Sequence, residues 1–394
     1  MIETTSLAKL FAKLNYFKDI DNKSDEEKCV ALDDAINEFT RENRFPWTIQ
    51  KSTLKVFKDI DYYAAADDQA DLVILNNMDV DGYGDAASYY NTTLNQFIER
   101  IKTQRNLMTQ QYINGQQVIG INNIQKDIFS AILDTGSDAD NYEAVSGCTK
   151  VGLNNIYTLG DYKSISFNIT GDPAEIKNTY TNSTSDEKYL EKYYIRRIYF
   201  KEDTPTNVEL RLQTDDDNYI SATVTEQVTG IPFQENSYNY VGFAIEEGTE
   251  TGTFDEEDIA SSKIIVTGYS GIMYVSYDSI DEFLLQQYWY HSKYPIMSSS
   301  GTKGDKEQFL NYEDNTYDIG DKLIGPTKWL DPVIKKARES LLMTSENEYL
   351  RNKVSSKAKK AEKEFERNFP NEQPKTTTTN RRFNNNPVDI NYVP

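Results

Sequence analysis

The chain has 394 residues, and its 63 Asp+Glu against 42 Lys+Arg give a formal net charge of -21. That length suits about two or three domains. So acidic a surface argues against gripping nucleic acid through a basic footprint, while leaving room for a ring through which DNA slides without sticking. The first segment reads helical, with Leu7, Leu10, Phe11 and Leu14 at helical spacing. A second helix is expected from about Asp25 to Asn43, with Ser24 as N-cap and Asp25, Glu26 and Glu27 in its first turn. "RFPW" ends it, because Pro46 disfavours a helical residue before it. "TLKVFKDI" alternates as a strand, "ADLVIL" (70–75) reads as a short buried one, and a helix is expected from about Ala86 to Arg105. "QQVIGIN" reads as a strand returning to the same unit.

From about Ile124 to Tyr294 the character changes. "GDYKSISFNIT" (160–170) sets Ile165, Phe167 and Ile169 against Ser164 and Ser166, the period-2 mark of a strand with one buried face. "YIRRIYF", "VELRLQT", "YISATVTEQ", "YVGFAIEE", "SKIIVTGY" and "IMYVSYDSI" follow, parted by Gly, Asp, Asn and Pro clusters. Many short strands at near-regular spacing predict a sandwich or jelly roll. A polar linker (298–324) leads to helix between Gly325 and Phe369. Its second half carries Leu350, Val354, Ala358, Ala361 and Phe365 as one apolar stripe on a charged rod, which predicts packing on another helix. The last 25 residues (370–394) are too polar to fold alone and are expected to extend.

No stretch approaches the ~20 apolar residues of a membrane helix, so no membrane is expected as a partner. The start "MIETTSLAKLF" lacks the basic and long apolar parts of an export signal, and none is expected. Cys29 and Cys148 lie far apart and read as free thiols. The one histidine, His291 in "QQYWYHSKY", rules out a multi-His metal site and is expected to pack among aromatics on a strand. No phosphate-binding glycine motif occurs in a strand–helix setting, and neither a catalytic constellation nor a cofactor is expected. "NMDVDGYGD" (77–85) offers Asn77, Asp79, Asp81 and Asp85 as candidate metal ligands, but Ser88 stands at the twelfth position, where a bidentate Glu belongs. The other reading is an acidic turn. "TDDDN" (214–218) and "EEGTETGTFDEED" (246–258) read as solvated loops, although paired carboxylates also serve glycosidases. Tyr238, Tyr240, Trp289 and Tyr290, if exposed, would stack on a sugar ring; otherwise they are core or interface. Lys357, Lys359, Lys360 and Lys363 read as a solvated face with ion pairs, or as a DNA contact.

"ALDDAINEFTRENRFPWTIQKSTLKVFKDIDYYAAADDQADLVIL" (31–75) resembles the opening of tailed-phage head-to-tail adaptor and neck proteins. The matching elements are Ala35-Ile36-Asn37, Trp47, Leu54 to Phe57 and Tyr62-Tyr63; Ala64-Ala65-Ala66 stand where the family has Leu-Pro. The β region resembles galactose-binding-like or carbohydrate-binding-module-like jelly rolls, which are inserted in some phage neck proteins. Together the resemblances imply an α+β multidomain chain: an adaptor-like helical unit (1–123), an inserted antiparallel sandwich (124–297), the linker, C-terminal helices packing back on the adaptor unit (325–369) and a tail (370–394). They imply a structural virion protein, a ring of twelve copies lining the DNA passage between portal and tail. Its partners would be itself, the portal, the next neck or tail protein and DNA passing without specific binding. Candidate partner-binding residues are Leu350, Val354, Ala358 and Phe365 on the stripe and Arg381, Arg382, Phe383 and Tyr392 on the tail. The alternatives are a glycan- or receptor-binding virion decoration or tail protein that works through the jelly roll, and a glycoside hydrolase or lyase carrying the β domain as an accessory.

Overall fold

A computed structural model describes residues 3–20, 22–42, 46–73, 93–113, 115–122, 128–159, 162–180, 192–301, 304–325, 327–343 and 348–368. The chain opens with β1 (Thr4–Ser6), α1 (Leu7–Asn15), α2 (Asp25–Glu42), β2 (Ile49–Val56), β3 (Tyr62–Ala64), β4 (Gln69–Leu72), α3 (Leu94–Leu107), β5 (Met108–Ile113) and β6 (Gln116–Ile121). Then come β7 (Ser130–Asp134), β8 (Tyr142–Ser146), β9 (Cys148–Leu159), β10 (Tyr162–Ile169), β11 (Ala174–Thr179), β12 (Tyr193–Phe200), β13 (Asn207–Gln213) and β14 (Tyr219–Val224). It closes with β15 (Ser237–Ala244), β16 (Thr249–Thr251), β17 (Ser261–Thr267), β18 (Gly271–Asp281), β19 (Leu284–Ser292), β20 (Ile296–Met297), β21 (Lys322–Ile324), α4 (Leu330–Leu342) and α5 (Glu348–Asn368). Two units divide these elements. The first takes the described residues of Met1–Thr53, Ala65–Gln110 and Gln287–Thr378; the second takes those of Leu54–Ala64 and Gln111–Gln286. The chain passes between them within β2, after β3, within β5 and within β19.

In the first unit the helical spacing of Leu7, Leu10, Phe11 and Leu14 turns one face of α1 inward, and all four are buried. α2 starts as the sequence predicts: the Glu27 N–H donates to Ser24 Oγ (3.1 Å) while the Ser24 N–H donates to Glu27 Oε2 (2.9 Å). Cys29, Leu32, Ala35, Ile36 and Phe39 of α2 share a core with Trp329, Val333, Ile334 and Ala337 at and inside α4. α5 lays Val354, Ala358 and Ala361 inward and packs on α4. Gly325, at φ +145°, lies under the Trp329 ring, where a Cβ would come within 2.5 Å.

From the stretch 298–324, expected as a linker, Phe309, Leu310 and Leu323 are part of this core. Phe309 and Leu310 are buried in it, and their N–H groups donate to the Asp33 carboxylate at 2.8 and 3.0 Å. β21 pairs with β1 and β20, and the buried Asp321 accepts from Lys306 Nζ (2.5 Å) and the Ser299 N–H (3.0 Å). This stretch supplies backbone N–H donors to Asp33 of α2, and its own Asp321 takes the N–H of Ser299. The same unit holds Trp289 edge-on to Phe97 of α3 (4.8 Å), with the Gln104 amide bonded to both backbone groups of Trp289.

The second unit is the antiparallel sandwich the sequence predicts. One sheet runs β15–β12–β18–β10–β9, with β7 also on β18; the other runs β16–β14–β13–β17–β11–β8. Ile165, Phe167 and Ile169 of β10 point inward to meet Ile176, Leu210, Leu212 and Ile264 of the facing sheet. Burial of each such side chain contributes about 1.5–3 kcal/mol. β6, expected to return to the helical unit, pairs instead with β3 here, and Val118, Ile119 and Ile121 are buried.

Candidate functional site

Period-2 alternation gives β12 two different faces. Tyr194, Arg196, Ile198 and Phe200 turn into the sandwich, while Tyr193, Ile195, Arg197 and Tyr199 turn out. Register carries the outer pattern across the sheet: Tyr199 stands opposite Tyr238 of β15 and Tyr274 of β18, and Arg197 opposite Tyr240. Tyr274 faces Ser166 of β10, which faces Gly152 of β9.

Part of this outer face is covered by the unit's own chain. In Leu54–Ala64, Phe57 packs edge-on against Tyr193 (5.0 Å), and Lys55 Nζ meets Tyr193 Oη at 2.5 Å. Tyr240 Oη donates to the Asp59 carbonyl (3.4 Å), and the Ala64 N–H donates to the Thr229 carbonyl (2.9 Å). Beneath lies a buried ion pair, Arg197 to Asp281 (3.2 Å), with Arg197 also over the Tyr277 ring at 4.3 Å.

The remainder is a tyrosine row. Tyr157 stacks on Tyr274 with centroids 4.3 Å apart and planes at 28°. Tyr199 lies 4.9 Å from Tyr157 and 5.5 Å from Tyr238. Tyr157, Tyr199 and Tyr238 are half-buried, and Tyr274 lies deeper beside them. Tyr238 Oη donates to the Tyr157 carbonyl (2.7 Å), which also accepts from Ser164 Oγ (2.5 Å). Ser166 Oγ donates to the Gly152 carbonyl (3.0 Å). Burial pushes the Tyr238 hydroxyl up to about 12, against the lowering effect of Ser164 and Ser276, and burial also raises Tyr199 and Tyr274. Tyr199, Tyr238 and Tyr274 therefore stay uncharged at neutral pH, and the row presents apolar ring faces with the Tyr238 hydroxyl held by the Tyr157 carbonyl.

Between the sheets sits a second polar group. Asp278 pairs with Arg196 and accepts from Tyr180 Oη (2.6 Å) and Tyr194 Oη (2.8 Å). Arg196 also donates to Tyr142 Oη, which donates to Asp134 (2.5 Å). Burial raises the Asp278 carboxyl, and Arg196 opposes that rise. With Arg196 and Asp278 both wholly buried, the cluster ties β8 and β12 of opposite sheets and is closed to ligands. The sequence reading missed it; its signal was Arg196 on the apolar side of "YIRRIYF".

Of the aromatic residues expected as sugar contacts, Tyr238 and Tyr240 lie on the outer face, whereas Trp289 and Tyr290 of the first unit are buried at 2% and 5% exposure. His291 is buried on β19, with Nδ1 3.1 Å from Thr48 Oγ1. Asn77, Asp79, Asp81 and Asp85 lie outside the described residues, as do Arg381, Arg382, Phe383 and Tyr392. Among the described residues no cluster of His, Cys, Asp and Glu suits a metal. Val354 and Ala358 are buried within the chain, and Leu350 and Phe365 lie on α5. Lys357, Lys359, Lys360 and Lys363 are exposed.

No family model matches the chain, and no curated protein does. Among solved structures it is similar to carbohydrate-binding modules. A family 11 module from Clostridium thermocellum, in complex with a β-1,3-1,4-mixed-linked tetrasaccharide, is 11% identical, with 38% of this chain and 94% of that chain covered at a TM-score of 0.29. A family 30 module of a cellulosomal cellulase from the same organism is 9% identical, over 39% and 96%, at 0.27.

Proposed function

We propose that the second unit binds saccharide on the outer face of the β15–β12–β18–β10–β9 sheet. The observation that carries this reading is the row of half-exposed Tyr238, Tyr199 and Tyr157 backed by the deeper Tyr274, with its rings fixed against one another. Aromatic faces bury the apolar face of a sugar ring, and the flanking hydroxyls meet its polar edge. On this reading the chain is a glycan- or receptor-binding virion component, and no reaction is assigned to it. Titration of the full chain against bacterial polysaccharides by calorimetry tests it. Tyr199→Ala is expected to weaken binding about tenfold, a loss of about 1.4 kcal/mol. Binding unchanged by Tyr199→Ala and Tyr157→Ala would move the site elsewhere.

A second reading is the ring-forming head-to-tail adaptor of a tailed phage, in contact with portal, neck protein and passing DNA. The feature in its favour is the chain order of α2, Trp47 and β2, while Leu54 to Phe57 and Tyr62-Tyr63, on which the resemblance also rests, fall in the second unit. The mass of the full chain with a candidate portal, beside a version ending at Pro370, tests it. A complex lost on truncation supports the adaptor, and a chain indifferent to portal removes it.

A further inference from the structure

α1 and α4 leave a cavity of about 360 Å³ in the first unit, lined by Ala12, Lys13, Tyr16, Phe17, Asp331 and Ile334. Its floor is fixed. Arg338 lies over the Phe17 ring at 4.2 Å and is held by Asp19 through Nε at 3.2 Å. At its rim stands Tyr16, 85% exposed and edge-on to Phe17 at 6.0 Å. The patch therefore carries a large aromatic knob, a hollow beside it, and one charge of each sign at Lys13 and Asp331.

We propose that this patch docks a second copy of the chain about a two-fold axis, each Tyr16 entering the hollow of the other copy. A two-fold contact is self-complementary, so one patch must supply both what inserts and what receives. This one holds both Tyr16 and the hollow, and it carries one cation and one carboxylate, Lys13 and Asp331, that could pair across such a contact. Tyr is suited to such an anchor because it buries a large rigid area at small entropy loss. Asp331 also pairs with Lys335 of its own helix, which orients the carboxylate at the rim. The contact is small against a standard interface, so the dimer is weak and concentration-dependent. The inference stands apart from saccharide binding.

Sedimentation velocity of the full chain over a wide concentration range is the test. The wild type is expected to pass from monomer to dimer, and Tyr16→Ala to lower the association constant about tenfold or more. Lys13→Asp and Asp331→Lys should each weaken association, and the two together should restore it, with far-UV circular dichroism confirming the fold of each variant. A monomer at every concentration, a dimer indifferent to Tyr16→Ala, an assembly larger than a dimer, or a double variant no better than the singles would each overturn the proposal.

Discussion

Asp33 shows how one buried carboxylate sets a pH dependence. Burial raises it to about 6, against the two N–H groups of Phe309 and Leu310 that favour its charge. A group raised in the folded state holds its proton through folding at low pH. Its ionisation is penalised as pH climbs from about 4 through about 6. The cost on the neutral side is about 3 kcal/mol, taking 1.36 kcal/mol per unit. Asp33→Asn should therefore gain stability relative to wild type by about that amount between pH 4 and pH 7. Urea unfolding followed by tryptophan fluorescence reads it, since Trp47, Trp289 and Trp329 all lie in the first unit, and a difference constant with pH would refute it. Cys29, buried beside α4 and pushed up to about 12 by that burial, should resist alkylation at pH 8 in the native chain and react once denatured; mass spectrometry distinguishes the two. Residue-level reading of the sequence found Ser24 as a cap and His291 as a core residue because both signals are local. It could not find Asp33, whose partners lie some 276 residues away.

At the scale of single elements, β10 and β12 carry the same lesson in opposite directions. Alternation in "SISFNIT" identified Ile165, Phe167 and Ile169 as inward, and Phe167→Ala should cost about 3–5 kcal/mol by leaving a cavity between the sheets. The same alternation made Ser164 and Ser166 look exposed, yet they are 0% and 6% exposed. A period-2 pattern reports the chemistry of a face and not whether tyrosines from neighbouring strands roof it. β12 departs further, since its core face holds Arg196. Removing that guanidinium leaves Asp278 buried without its partner, so Arg196→Met should destabilise the sandwich by about 3–5 kcal/mol. Arg211→Met is the contrast: its ion pair with Glu209 is part-exposed, and its loss should stay under about 1 kcal/mol. Near-UV circular dichroism of the tyrosine-rich sandwich during urea unfolding compares the two, and equal losses would contradict the argument.

For the molecule as a whole, composition pointed to more than one domain and to a β region between helical parts; the described residues divide into two units, one of which carries the antiparallel sandwich. The boundaries were less legible. Polar residues at 298–324 looked like a linker because a stretch that binds through backbone N–H groups needs no apolar pattern. Leu54–Ala64 and β6 looked like parts of the helical unit, since only their pairing partners place them on the sandwich. Trp289 and Tyr290, singled out as possible sugar contacts, are core residues of the first unit, while the tyrosine row is assembled from β9, β12, β15 and β18. A site made from four strands far apart in sequence has no motif of its own.

The sandwich is not one uninterrupted length of chain, and that bears on how it can be cut out. A fragment spanning 111–286 would carry both large sheets but not Leu54–Ala64, so β6 would lose β3, and Tyr193, Tyr240 and the Arg197–Asp281 pair would lose their cover. Newly bared aromatic and backbone groups of that kind make a sticky edge. Such a fragment should aggregate, or bind a dye that lights up on apolar surfaces, where the full chain does not. Adding the eleven missing residues as a separate peptide, or splicing them ahead of residue 111 through a short flexible joint, should quench the dye and return the fragment to a single species on a sizing column. The gene fragment to order for this domain is therefore a spliced one.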